Sequence, residues 1–356
     1  MALRSLRNLL MSALTGEGHE FTEHRFHAWF AGLSTLSDEP ALGKRDPRAI
    51  CETMLTELGH SSWQDLAEIA LRFKSALLAP SDLGGSEDHP GSDHSDIHTI
   101  IDGARSLVGQ LPPSPDPLAD LSHLHRALGE SVLFAPVQGH HQTLVLGQLN
   151  VTVERHPGPS PCWALDMVWG ERWQKAGILT LALPFPGLIR LEAVTLLASH
   201  DPSDSLDGRG RIAMALRDAA QHLQQDIVAA GVACDRIEAL RTGRRASSKG
   251  PALLELLHGF GPLRSSQIEN LLSVTRLGAR SILCGLLESG FVARTKVCGV
   301  WLFGPTLPTR QLDPVSHDAN GGFAFSAAAI GEYDASMADI DRLLARFGAD
   351  NAGECD

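Results

Sequence analysis

Thr275, Arg276, Arg280 and Ser281 carry the most distinctive chemistry in this chain of 356 residues. They occupy the outward positions of one short helical pattern. An arginine guanidinium there can donate two parallel hydrogen bonds to O6 and N7 of a guanine, which is worth about 1–3 kcal/mol of base discrimination. Side chains suited to phosphate oxygens flank the four. Arg244, Arg245, Ser247, Ser248 and Lys249 precede them, and Arg294 and Lys296 follow. The chemistry this set could perform is recognition of duplex DNA.

Such residues need a scaffold, and the surrounding pattern supplies one. Pro251–Phe260 carries Leu253, Leu254, Leu256 and Leu257 on a helical face, and Gly261-Pro262 breaks it. Ser265 or Ser266 can cap a second helix with Ile268, Leu271 and Leu272 inside. Ser273-Val274-Thr275 makes a tight turn into a third helix, whose buried stripe is Ala279, Ile282, Leu283 and Leu286 and which ends at Gly290. Two short strand patterns, Phe291–Thr295 and Val300–Phe303, flank a turn at Lys296–Gly299. Three helices and a hairpin in this order predict a winged helix-turn-helix over residues 241–303. Leu277, Cys284 and Leu287 lie outside the buried stripe and form an apolar face suited to a protein partner. Gly278 and Gly285 each weaken the third helix by about 1 kcal/mol relative to alanine.

Charge singles out the same segment. Arg241–Phe303 holds nine Lys/Arg and three Asp/Glu, net +6, within a chain of net −12, so the remainder carries −18. An acidic whole opposes sequence-blind coating of nucleic acid and confines any DNA contact to the basic segment.

The run GRRASSKGPALLELL (Gly243–Leu257), the helix-turn-helix after it and the basic hairpin ending near Trp301 resemble the C-terminal domain of an uncharacterised, often plasmid-borne family of rhizobial and related bacteria. The resemblance covers about residues 240–303. It implies a bacterial DNA-binding or regulatory protein, with no operator, ligand or activity attached.

Upstream, residues 1–80 read as a helical region. Met1–Leu14 suits an amphipathic first helix better than a signal peptide, because arginine and serine interrupt its apolar run. Phe26, Trp29, Phe30 and Leu33, then Ile50, Met54, Leu55 and Leu58, then Trp63, Leu66, Ile69, Ala70 and Phe73 recur at helical spacing, with Asp46-Pro47 as a start signal. Residues 81–117 read as an acidic linker rich in Ser, Gly and Pro, with one short helix at Ile97–Leu111. Residues 118–240 suggest a small α+β domain. Its elements are a helix at Leu118–Leu128, strands within Gln142–Arg155, further strands at Cys162–Trp169 and Ile178–Leu183, an ambiguous Leu188–Ser199, and a long helix at Gly210–Gly231. That helix places Ile212, Leu216, Ala219, Leu223 and Ile227 on one face. Residues 304–356 read as a loosely structured tail with a short helix at Ser336–Phe347. The fold class expected is α+β, mostly α.

Other constellations point less far. His89, His94, Asp96 and His98 have weak metal-binding spacing but sit in the linker, where a solvated segment is the simpler reading. His123/His125 and His140/His141 could join Cys162 only if the fold brought them together. Asp201, Asp204 and Asp207 lack the twelve-residue calcium pattern and read as a polar loop. Trp163, Trp169 and Trp173 suit core packing. Nucleophile-elbow, Walker A, HExxH and dinucleotide motifs are absent. Six scattered cysteines without a CxxC pair fit a reducing cytoplasm, and no apolar run reaches membrane-spanning length.

The resulting expectation is a cytoplasmic bacterial transcription regulator or plasmid-associated factor, binding duplex DNA and suited to forming a homodimer. No catalytic residue, metal or cofactor is assigned. The alternatives are an accessory or adaptor subunit, whose winged helix docks protein, and an enzyme housed in residues 120–235.

Overall fold

A computed structural model describes residues 1–38, 44–81, 92–135, 141–146, 149–154, 160–198, 202–242 and 248–306. The chain divides into two units, residues 1–307 and 308–356, and all described residues belong to the first. The tail helix expected at Ser336–Phe347 lies outside the described residues.

The first unit is α+β and mostly helical. In order it contains α1 (Ala2–Gly16), α2 (Glu23–Phe30), α3 (Pro47–Leu58), α4 (Gln64–Ala76), α5 (Ser92–Gln110), α6 (Pro117–Glu130), β1 (His141–Leu146), β2 (Leu149–Glu154), α7 (Trp163–Lys175), α8 (Leu191–Ala198) and α9 (Pro202–Thr242). There follow α10 (Gly250–Gly259), β3 (Leu263–Arg264), α11 (Ser265–Leu272), α12 (Arg276–Glu288), β4 (Val292–Val297) and β5 (Val300–Pro305). The first two strands pair antiparallel, with His141 opposite Glu154 and Leu146 opposite Leu149. The last three form an antiparallel sheet in the order β3-β5-β4.

Local chemistry explains several boundaries. Thr22 accepts from the Arg25 N–H at the start of α2, Asp46 from Arg48 at α3, and Asp116 from Leu118 and Ala119 at α6. In α3 and α6 a proline follows the cap, where its missing N–H costs nothing. Along α1, Leu3, Leu6, Leu9, Leu10, Ala13 and Leu14 are buried, so this helix lies inside the core, touching α3, α4, α7 and α10.

One core cluster runs from Ala2 to Val292, and the boundaries read from composition fall within it. The two ends of the unit interlock. Phe260 is fully buried among Phe26, Phe30 and Phe73, with ring centroids 6.2, 4.9 and 4.3 Å away. Gln267, also fully buried, donates from Nε2 to the carbonyls of Phe30 (3.2 Å) and Ala76 (2.8 Å), the last residues of α2 and α4. Its Oε1 accepts from the Arg264 N–H at 3.0 Å. One carboxamide thus satisfies two helix C-termini and one helix N-terminus. Gly261, at φ +116°, passes against His27, whose ring a Cβ would overlap. Leu302 packs on Ala28 and Ala31.

Buried ionic groups tie the middle together. Glu17 accepts from Arg45 (2.8 Å) and from Trp163 Nε1 (2.7 Å). Asp120 accepts from Arg172 (2.7 Å) and from Trp173 Nε1 (3.1 Å), while Arg172 also donates to the carbonyls of Val108, Leu111 and Pro112. Asp166 accepts from the backbone of Gly187 and Ile189, and burial pushes its carboxyl up to about 8. Trp163, Trp169 and Trp173 are all core residues of α7.

The middle region departs from the expected strands. Cys162–Trp169 falls mostly in α7, and Ile178–Leu183 has no regular structure. Nearly every residue from Trp163 to Gly170 is buried, and a helix buried all round has the unbroken apolar run of an inner strand. Gly170 lies so close to Leu183 that a Cβ would collide with its carbonyl. The ambiguous segment contains α8. Helix α5 begins at Ser92, inside the expected linker, and buries Ile97, Ile100, Ile101 and Ala104. Asp204 and Asp207 lie in α9 rather than in a loop; Asp201 is outside the described residues. That helix is much longer than expected, and on it Ile227 is exposed. The spacing 212, 216, 219, 223, 227 rotates slowly around a helix, and its last member leaves the buried side.

Gln267→Leu should leave two buried carbonyls and one N–H without partners and lower stability by roughly 3 kcal/mol, measurable by urea unfolding. His258, near the end of α10, supplies a pH signature. Burial first, then Arg236 and Arg4, push its imidazole down to about 4, against about 6.5 when unfolded. Below about pH 6.5 the unfolded chain binds a proton that the folded chain refuses, so stability falls as pH drops toward 4. His27 and His125 are lowered by burial in the same direction. Unfolding curves at about pH 7 and about pH 5 should show His258→Gln losing less stability than the parent chain.

Candidate nucleic-acid interface

Each element from α10 to β5 orients part of the basic segment. Helix α11 ends at Ser273, whose φ of +52° and ψ of +51° turn the chain sharply. Two residues later Thr275 caps α12, its Oγ1 accepting from the Gly278 N–H at 3.2 Å. The inner face of α12 buries Ala279, Leu283 and Leu286; Ile282 is half-buried. Anchored on that side, the helix turns Thr275, Arg276, Arg280 and Ser281 to solvent. Arg276 and Arg280 are one turn apart, and the first turn holds no acidic residue.

This arrangement is electrostatically costly for an isolated helix. A positive side chain at the positive end of the helix dipole loses about 0.3–1 kcal/mol, and like charges four residues apart cost about 0.2–0.5 kcal/mol. Among the described residues, neither arginine forms an ion pair. Several arginines elsewhere are compensated, among them Arg45 by Glu17, Arg105 by Glu57 and Arg172 by Asp120. An anion at the end of α12 would offset both costs.

The β4–β5 hairpin contributes a second basic surface. Its two-residue loop, Cys298-Gly299, has φ of +47° and +82°, the geometry of a tight hairpin turn. Lys296 pairs across the strands with Trp301, and Arg294 with Phe303. The Arg294 guanidinium lies 4.5 Å from the Trp301 ring centroid, and the Lys296 ammonium 5.9 Å from it. Both cations and the indole are exposed, so the ring holds the charges at the surface. At the base of the hairpin Arg236 of α9 lies over the Phe291 ring and donates to the Thr306 carbonyl.

The expected residues thus fall into three sets. Thr275, Arg276, Arg280 and Ser281 share the exposed side of α12, and Arg294 and Lys296 share the exposed face of the hairpin. Ser248 and Lys249 stand at the start of α10, where Lys249 is exposed and Ser248 half-buried. Arg244, Arg245 and Ser247 lie outside the described residues. Of the apolar trio, Leu277 is 78 % exposed and Cys284 is exposed, whereas Leu287 is half-buried against the core. Trp301 was assigned no role from sequence; its offset from Lys296 across a tight turn is the signal that places it under both cations.

The metal-binding spacings disperse. His94 bonds Thr53 at 3.2 Å and His98 contacts Glu57 at 3.1 Å, both on α3. His125 is enclosed, its two ring nitrogens bonded to the Leu121 carbonyl and the Arg190 N–H. Burial pushes the Cys162 thiol up to about 11. His89 and His140 lie outside the described residues. Among those described, no three His, Cys, Asp or Glu side chains converge as a metal site. None of the described helices is long and apolar enough to cross a membrane.

Comparison with models of known protein families, with curated proteins and with solved structures returned no match.

Cys298 carries a strained left-handed backbone that asparagine adopts readily. Cys298→Asn should therefore raise stability by about 0.5–1 kcal/mol, seen as a higher urea midpoint with an unchanged slope.

Proposed function

We propose that this chain binds duplex DNA through residues 248–306, used as a winged helix. The observation that carries the reading is the pair Arg276 and Arg280, exposed one turn apart at the N-terminal end of α12 without an acidic partner among the described residues. In this reading α12 enters the major groove, with the two arginines toward guanine edges and Thr275 and Ser281 beside them. Lys249, Arg294 and Lys296 contact phosphates and set the register. The segment order α10-β3-α11-α12-β4-β5 and the sheet order β3-β5-β4 support it, as does the local net charge of +6. The chain's role is then that of a transcription regulator or plasmid-associated factor.

A second reading has its own observation. Leu277, 78 % exposed beside Arg276, is an unusual side chain to hold against water. An adaptor subunit would dock a protein partner there, with Cys284 along the same side.

Selection of random duplex sites by the purified full chain at near-physiological salt tests the first reading. An enriched site is expected, with affinity falling steeply as salt rises. Arg276→Ala or Arg280→Ala should relax preference at single base pairs and cost about 1–3 kcal/mol. Lys249→Ala should weaken all sequences alike and reduce the salt slope by about 1. No enrichment, together with a stable partner protein released by Leu277→Asp but not by Arg276→Ala, would overturn it in favour of the adaptor.

A further inference from the structure

Helix α9 is longer than its packing explains. Its 41 residues extend for about 60 Å at 1.5 Å per residue. The first part is held by α6 and α8 and the last part by α10, and between them Asp226 accepts from Asn8 of α1 at 2.9 Å and pairs with Arg4. Inward side chains at Ile212, Ala215 and Ala219, and again at Ala233, Ile237 and Leu240, reach the core. Between them, from Ala220 to Val232, no residue is buried. The opposite side is apolar as well. Leu206 is 73 % exposed, Val228 62 % and Ile227 55 %, with Met214 and Val232 also exposed. The exposed positions 206, 210, 213, 217, 220, 224, 228 and 231 follow steps of four or three, the spacing of a helix–helix seam. Gly210, Ala213, Ala220 and Gly231 on that seam allow a close approach.

Charge on the exposed side is divided along the helix. Exposed Asp207, Arg209, Arg211 and Arg217 give the first half a net +2, and exposed Asp235, Glu238 and Arg241 give the last a net −1. Arg211 also reaches Glu192, Arg217 reaches Asp218, and Glu238 reaches Arg241. A partner helix with the same division complements this one only when it runs the opposite way; a parallel copy would set like against like.

We propose that the exposed face of α9, from Leu206 to Glu238, is the contact surface for a second copy of this chain, the two helices packing antiparallel. The pairing covers Ile227, Val228 and Val232 and relates the two copies by a twofold axis near the middle of α9. It does not depend on DNA binding. If residues 248–306 do read DNA, the same axis makes the recognised site palindromic.

The test is the mass of the full chain in solution, under reducing conditions so that exposed Cys234, Cys284 and Cys298 form no crosslinks. Light scattering after size exclusion should give twice the chain mass at about 10 µM, a concentration well above the nanomolar dissociation constants of stable interfaces. Ile227→Asp with Val228→Asp should weaken the dimer at least ~100-fold while leaving the circular dichroism and melting of each chain unchanged. Should that pair disturb folding, Val232→Glu serves as the milder variant. Spin labels at Leu206, Gln221 and Val232 distinguish the orientations. Antiparallel helices give the shortest distance between copies near the middle and longer ones at both ends, whereas parallel helices give similar short distances at all three. A monomeric wild-type chain, a dimer indifferent to these substitutions, or equal distances along the helix would overturn the proposal.

Discussion

The carboxamide of Gln267 and the ring of Phe260 hold the beginning and the end of the described unit in one core. Gln267 joins the C-termini of α2 and α4 to the N-terminus of α11. Phe260 enters the aromatic cluster those helices build. A buried amide is costly unless every donor and acceptor is met, and here three partners meet it. Residues 250–306 are therefore not a module on a tether. Their inward faces are committed to α1, α2, α4 and α9, and that commitment determines what is left outside.

What is left outside is chemically selective. The side of α12 that carries Arg276, Leu277, Arg280, Ser281 and Cys284 faces solvent, as does the hairpin face with Arg294, Lys296 and Trp301. The other hairpin face is occupied, because Leu302 packs on Ala28 and Ala31. Positive charge that could have been neutralised locally is held at the surface by a helix end and an indole ring. In a chain of net charge −12, that makes a small attractive surface within a repelling field. Contact with a polyanion would be confined to it, and sequence preference would depend on few side chains.

Helix α9 links this region to the rest of the unit. At its end Arg236 holds the base of the hairpin through Phe291 and Thr306, and at its start α8 packs along it. The helix is one continuous element between α8 and α10. In the middle of the helix Ile227 and Val228 face water, while Asp226 beside them is bonded to Asn8 and Arg4 of α1.

Much of this was legible in the residues alone. The caps at Asp46, Thr275 and Gly290, the paired glycine and proline at 261–262, and the leucine stripes of α10 to α12 are local signals, effective because a helix end must satisfy its own backbone. The charge anomaly and the outward position of Arg276 and Arg280 were equally local, since a helix face is set by period. Where burial is decided by remote partners, local reading failed. Cys162–Trp169 looked like a strand because a helix enclosed on all sides has lost the polar face that marks its period. Ile227 looked like core because nothing in its neighbours says that α6 and α8 end before it. The roles of Gln267 and Trp301 were invisible for the same reason: each depends on atoms brought close only by folding, two helix C-termini in one case and two cations across a tight turn in the other. Sequence determined which elements form and where charge collects. Tertiary structure alone decided which faces meet, because burial belongs to pairs of surfaces and not to either strand of residues by itself.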